Sequence, residues 1–179
     1  MHLYLCNNIT RREDAYALLS YAAGHYWGFE ALPPIDRHEQ GKPFFPSHPH
    51  CHFNLSHSGC FALCALDGHP VGADIEVIRP HHPKLAQRIC SEDELNWLSE
   101  QTDKTTALCQ LWTDKEALVK YHGTGLTVPL REIQSPLPSV TGQAGLHFHR
   151  ILTPEFCLCV CGHTHLEALA TVSREEISV

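Results

Sequence analysis

Basic residues are scarce in this 179-residue chain: 13 lysines and arginines stand against 20 aspartates and glutamates, a formal net charge of −7. Nucleic-acid binding through the phosphate backbone needs a lysine- and arginine-rich surface, so that general function is excluded. There is no run of 18 or more apolar residues, and no membrane span is expected. The first residues, Met1-His2-Leu3-Tyr4-Leu5-Cys6-Asn7, lack the basic start and long apolar stretch of a secretory leader, so a cytoplasmic location is expected. The length fits one domain or two small halves sharing a core. Such a chain buries roughly 70% of its unfolded surface and needs no covalent staples.

Cysteine, by contrast, is plentiful. The nine cysteines are odd in number and irregularly spaced, and they are read as reduced thiols packed like small apolar side chains. The densest group, Cys157, Cys159 and Cys161, is followed by His163 and His165. On a strand these residues share one face. The alternative is therefore a cysteine- and histidine-rich metal-binding protein without enzymatic activity. Zinc sites, however, draw on two separated ligand pairs, and this group is single.

Helical periodicity runs through Ala15, Leu18, Leu19, Ala22 and Tyr26 to Gly28, behind a Thr10/Glu13 capping-box pattern. A loop rich in Pro, Gly and His covers about 31–52. Strands are expected around 52–55, 60–66 and 71–77. Ser91 and Glu94 form a second capping box before a short helix, and a longer helix spans about 104–122 and ends at Gly123. Strand signals return at 146–152, 156–161 and 166–172. Phe61-Ala-Leu-Cys64 recurs as Phe156-Cys-Leu-Cys159 at a shift of 95, and the same shift lays Tyr26 on Tyr121 and Gly28 on Gly123. This points to a duplication. The expected fold is α+β, a pseudo-dimer of two similar α/β halves (1–80 and 81–179). Each half would pack a helix on a small antiparallel sheet, with the active site in the cleft between them.

Three constellations carry chemistry. In Val71-Gly72-Ala73-Asp74-Ile75-Glu76, Asp74 and Glu76 point to one face of a strand, close enough to share a cation. The hexapeptide alone reads more readily as a solvated strand edge. On the long helix, Leu108, Trp112, Glu116 and Lys120 lie four apart and form one stripe that starts apolar and ends charged. Taken alone, Glu116 and Lys120 also fit a surface salt bridge. In Phe53-Asn54-Leu55-Ser56-His57-Ser58, preceded by Gly41-Lys42-Pro43, the side chains of Ser56, His57 and Lys42 could donate to a phosphate. Neighbouring Ser56 and His57 face opposite ways on a strand, which argues against a serine hydrolase.

Together, in this order, the four blocks G-K-P, F-N-x-S-H-S, V-G-x-D-x-E and W-[ST]-x-K-E-x-x-x-K with a closing G-x-G-L span Gly41 to Leu126. They resemble the Sfp-type 4'-phosphopantetheinyl transferases. Arg11, Arg12, Glu13, Asp14 and Ala15 also look like that family's first helix. The resemblance implies an enzyme that moves the phosphopantetheine arm of coenzyme A onto a serine of an apo acyl or peptidyl carrier protein and releases 3',5'-adenosine bisphosphate. It implies Mg²⁺ on Asp74, Glu76 and Glu116, with Glu116 accepting the serine proton and Lys120 stabilising phosphate charge. Lys42, Ser56 and His57 would hold the adenosine end, with Arg12 and Arg37 as further phosphate contacts. The N-terminal half would bind coenzyme A and supply the first metal carboxylates, and the C-terminal half would carry the catalytic helix. A monomer is expected, with no nucleic acid and no membrane as partner. Family members often carry extra basic residues before the first helix, where about ten residues stand here, so part of the coenzyme A grip is expected to be absent or replaced. The segment from Gly123 to Leu130 is a candidate docking edge for the carrier.

Overall fold

The computed structural model describes residues 1–11, 13–80, 84–125 and 127–177. Along the chain come strand β1 (His2–Cys6), helix α1 (Asp14–Trp27), the two-residue strands β2 (Asp36–Arg37) and β3 (Pro43–Phe44), then β4 (His52–Ser58), β5 (Phe61–Asp67) and β6 (Val71–Val77). Helices α2 (Leu85–Ile89), α3 (Glu92–Glu100) and α4 (Lys104–His122) follow. After a 3-10 turn at Leu130–Glu132 come β7 (Gly142–Gln143), β8 (Leu146–Leu152), β9 (Phe156–Gly162), β10 (Ala168–Val172) and helix α5 (Arg174–Ile177).

The strands form two four-stranded sheets, ordered β10-β1-β5-β4 and β6-β9-β8-β7, and the fold is α+β. The second sheet is antiparallel throughout. The first is not wholly antiparallel as expected, because β10 pairs parallel to β1. Those strands come from opposite ends of the chain, so no hairpin dictates their direction. Strand β1 itself lay unread in the sequence, although its burial alternates through Leu3 and Leu5.

Burial divides by strand face. Cys6, Ala62, Cys64 and Leu66 of the first sheet pack with Leu18, Leu19 and Ala22 of α1. On its other face Leu3, Leu5, Leu63 and Ala65 meet Ala73, Ile75, Leu158 and Val160 of the second sheet. That sheet's far side, with Phe148, Cys159 and Cys161, receives Ala117 and Leu118 of α4. The layers therefore run helix, sheet, sheet, helix. The cysteine-rich strand β9 is buried at every position, so Cys157, Cys159 and Cys161 act as core side chains.

Helix ends follow local chemistry. Ser91 and Glu94 form the expected capping box, and Asp103 caps α4 through the Thr105 and Thr106 amides. The Thr10/Glu13 box does not form. Instead the Asp14 carboxylate reaches back to the backbone N–H groups of Thr10 (2.8 Å) and Arg11 (3.1 Å), and so takes the Thr10 N–H that the Glu13 carboxylate would have accepted in that box. Both long helices end on a left-handed glycine, Gly28 at φ 75° and Gly123 at φ 68°. At the same 95-residue shift β5 (61–67) falls on β9 (156–162). Among the described residues, no helix is long and apolar enough to cross a membrane.

Candidate active site

Strands β4 and β6 are outer strands of different sheets, and β6 presents a row of backbone N–H groups that no strand among the described residues pairs. Side chains of β4 do the pairing. Asn54 Oδ1 accepts from the Ala73 N–H (2.9 Å), Ser56 Oγ from Ile75 (3.3 Å) and Ser58 Oγ from Val77 (3.1 Å). The period of two on both strands keeps this match in step. Each serine then donates its own proton to an acid on β6: Ser56 to Asp74 Oδ1 (2.7 Å) and Ser58 to Glu76 Oε2 (2.6 Å). One hydroxyl thus satisfies a strand edge and orients a carboxylate. Sequence reasoning singled out Ser56 for a phosphate and missed Asn54 and Ser58. The signal available was the alternation of Asn54, Ser56 and Ser58.

Helix α4 lies on the same side of β6 as Asp74 and Glu76. Gly72 permits this, because a Cβ there would sit 2.0 Å from the Ala117 carbonyl oxygen and 2.4 Å from the Tyr121 nitrogen. At that approach Lys120 reaches across. Its ammonium donates to Asp74 Oδ1 (2.6 Å) and to Ser56 Oγ (3.0 Å). Its ion partner is therefore Asp74 on the strand.

Trp112, Glu116 and Lys120 of the predicted stripe line a cavity of about 480 Å³, whereas Leu108 stays in the core. The cavity's other walls come from Ala15 and Tyr16 on α1, the Arg37–Pro43 segment, β4, and Asp74 and Glu76 on β6. Lys42, Ser56, His57 and Arg37 all line it. Arg12 and Leu126 lie outside the described residues.

The cations are not equally disposed toward a ligand. Arg37 donates to the Gly41 carbonyl (2.8 Å) and the Tyr16 hydroxyl (2.7 Å). Lys42 donates to the carbonyls of Val71 (3.1 Å) and Tyr121 (2.8 Å), tying the start of β6 to the end of α4. Burial pushes the Lys42 ammonium down to about 8. The folded protein releases that proton near pH 8, whereas the unfolded chain holds it to about 10.5. Unfolding between those values takes up a proton, so rising pH disfavours it. Wild-type stability relative to Lys42→Met is therefore expected to increase from pH 8 to 10, as read by urea denaturation. A flat difference would show the ammonium to be fully solvated.

The acids are strained electrostatically. Burial raises the Asp74 carboxyl, opposed by Lys120. Burial also raises Glu116, with the negative charges of Asp74 and Glu76 adding to it. Among the described residues, Asp74 Oδ2 is a buried side-chain oxygen without a hydrogen bond. An unpartnered oxygen beside two further carboxylates suits a hard divalent cation. As they stand, no three His, Cys, Asp or Glu side chains among the described residues converge closely enough to hold a metal ion. This applies to the acidic trio as well as to the cysteines and histidines of β9 and its following loop.

A family model described as the 4'-phosphopantetheinyl transferase superfamily matches residues 70–170. The 4'-phosphopantetheinyl transferase Sfp of Bacillus subtilis (strain 168) is 34% identical over 134 residues, covering 70% of this chain and 60% of that protein. The 4'-phosphopantetheinyl transferase AcpT of Salmonella typhimurium is 38% identical over 128 residues, 67% of this chain and 66% of that protein. The 4'-phosphopantetheinyl transferase psf-1 of Bacillus pumilus is 42% identical over 108 residues, 59% and 46% respectively. The chain thus spans about 60% of the length of the first of these relatives.

Proposed function

This chain belongs to the 4'-phosphopantetheinyl transferase superfamily, and we propose that it transfers the 4'-phosphopantetheine arm of coenzyme A to a serine of an apo acyl or peptidyl carrier protein. The observation that carries this reading is the convergence of Asp74 and Glu76 from β6 with Glu116 and Lys120 from α4 on one cavity.

The fold supports a pseudo-dimer. In this reading residues 1–80 and 81–179 are the two halves, and each gives its last long strand to the other's sheet: β6 pairs with β9, and β10 with β1. The cavity then lies where the halves meet, so one chain supplies both walls and a monomer suffices. Nine free thiols accord with a reducing compartment such as the cytoplasm.

In the reaction, the serine oxygen forms a bond to the β-phosphorus of coenzyme A as the bond to 3',5'-adenosine bisphosphate breaks. Glu116, whose proton affinity is raised by burial and acidic neighbours, takes the serine proton. Lys120, one helical turn on, offers its ammonium to charge developing on the phosphates. Ser56 and Ser58 hold Asp74 and Glu76 in fixed orientations. His57, exposed on the cavity wall, and Arg37 face the adenosine end, while the Lys42 charge contributes from behind its two carbonyls. Asp74, Glu76 and Glu116 would hold Mg²⁺, which when bound neutralises phosphate charge and screens these acids from one another.

The test mixes the protein with coenzyme A, Mg²⁺ and a panel of apo carrier proteins and weighs the carriers by mass spectrometry. A gain of one phosphopantetheine mass on at least one carrier, lost on chelation of the metal, is expected. A panel that stays at its apo masses refutes the reading.

A further inference from the structure

Helix α4 presents an unusual packing problem. Ala117, Leu118 and Val119 are consecutive and all buried. At 100° per residue they span about 200° of the helix circumference. Leu108 and Leu111 face a core shared with α2 and α3, whereas Ala117 and Leu118 face β8 and β9. Apolar burial on so many sides leaves the rotation of the helix about its axis weakly defined, because a one-residue slip exchanges one buried apolar position for another.

Charge supplies what apolar pattern does not. Asp114, fully buried, receives the Arg150 Nε of β8 at 2.9 and 3.0 Å from its two oxygens. The same guanidinium holds the carbonyls of Val140 (2.7 Å) and Pro136 (3.3 Å). Lys115, also fully buried, places its ammonium 2.9 Å from Glu94 Oε2 on α3 and donates to the carbonyls of Leu130 (2.8 Å) and Ile133 (2.7 Å). Three donors meet three acceptors, leaving none unmatched. Glu94 is at the same time the capping-box acid of α3. Asp114, Lys115 and Glu116 thus step around the helix into three different surroundings: β8, the α3 junction, and the cavity. A slip by one residue would break both pairs and leave Asp114, Lys115 and Glu94 buried without their partners, a cost far above that of exchanging apolar contacts.

We propose that the buried ion pairs Asp114–Arg150 and Lys115–Glu94 set the rotation of α4 and thereby aim Glu116 into the cavity, making Lys115 and Asp114 positioning residues. This inference rests on the transferase reading. Neither residue touches the cavity, so their effect reaches the reaction only through the helix.

Lys115→Met alone leaves Glu94 buried and unpaired and is expected to unfold readily, so it is uninformative. The decisive variant is the double Glu94→Gln, Lys115→Met. The introduced amide keeps an oxygen for the Ser91 N–H and can donate to one freed carbonyl, so the pair is removed without a stranded charge. The expected result is a thermal midpoint close to wild type, a KM for coenzyme A within about twofold, and kcat lower by about 10²-fold, the loss that follows a displacement near 1 Å. Its crystal structure should show Glu116 turned from the cavity. Wild-type kcat, or Glu116 unmoved in the crystal, overturns the proposal. If the double variant does not fold, Asp114→Asn with Arg150→Gln is read by the same three measures. A wild-type protein inactive on every carrier would sink the transferase reading instead, and the crystallographic comparison would still decide the rotation.

Discussion

Glutamine at position 116 is expected to lower the transfer rate by about 10³-fold while leaving the protein at least as stable as before. The first half follows from chemistry. An amide cannot take up the serine proton, and loss of a positioned proton acceptor costs about 10²- to 10⁴-fold. The second half follows from the surroundings of Glu116. Its carboxylate is pressed by burial and by the charges of Asp74 and Glu76, so removing its charge relieves repulsion. Among the described residues it makes no buried ion pair whose loss would strand a partner, because Lys120 is bound to Asp74. Stability and activity are therefore predicted to separate. Single-turnover transfer to a responsive carrier and thermal melting of the same preparation measure the two. A Glu116→Gln protein with wild-type turnover would remove the proton-accepting role, and one that is inactive because it melts early would show the side chain to be structural.

That separation depends on which parts of the site the chain announces. Asp74 and Glu76 were legible because a strand repeats every two residues and leaves the intervening Ile75 for the core. Trp112, Glu116 and Lys120 were legible because a helix repeats near four. Lys42 was legible only as a cation. Its partners, Val71 O and Tyr121 O, are backbone carbonyls 29 and 79 residues away, and no local pattern encodes them. The same holds for Lys115, a letter of the W-[ST]-x-K-E block whose partners Glu94, Leu130 and Ile133 are brought around it only by the fold. Asn54 and Ser58 sit between these cases. Their spacing was visible, but their partners are the N–H groups of β6, a strand whose place beside β4 is fixed by two sheets meeting. The zinc alternative for Cys157, Cys159 and Cys161 arose because a strand's alternation looks the same whether its face meets a metal or a helix. Here Cys159 and Cys161 meet Ala117 and Leu118.

Alanine in place of Gly72 is expected to damage fold and function together, the opposite pattern to Glu116→Gln. The added methyl would stand 2.0 Å from Ala117 O, 2.4 Å from Tyr121 N and 2.7 Å from Tyr121 Cα. All three are backbone atoms, so no side-chain rotation can make room, and α4 must lift from β6. Overpacking of this kind costs about 3 kcal/mol or somewhat more. The lift acts where the site is assembled. The 2.6 Å bond from Lys120 to Asp74 crosses that interface, as do the two carbonyl contacts of Lys42. A separation of about 1 Å between the groups on β6 and those on α4 is expected to lower kcat by about 10²-fold in whatever fraction remains folded. Urea denaturation and kcat per folded molecule test the two effects separately. A Gly72→Ala protein with wild-type values for both would mean that α4 does not rest on this strand, and Asp74 and Glu116 would then have no common space in which to act.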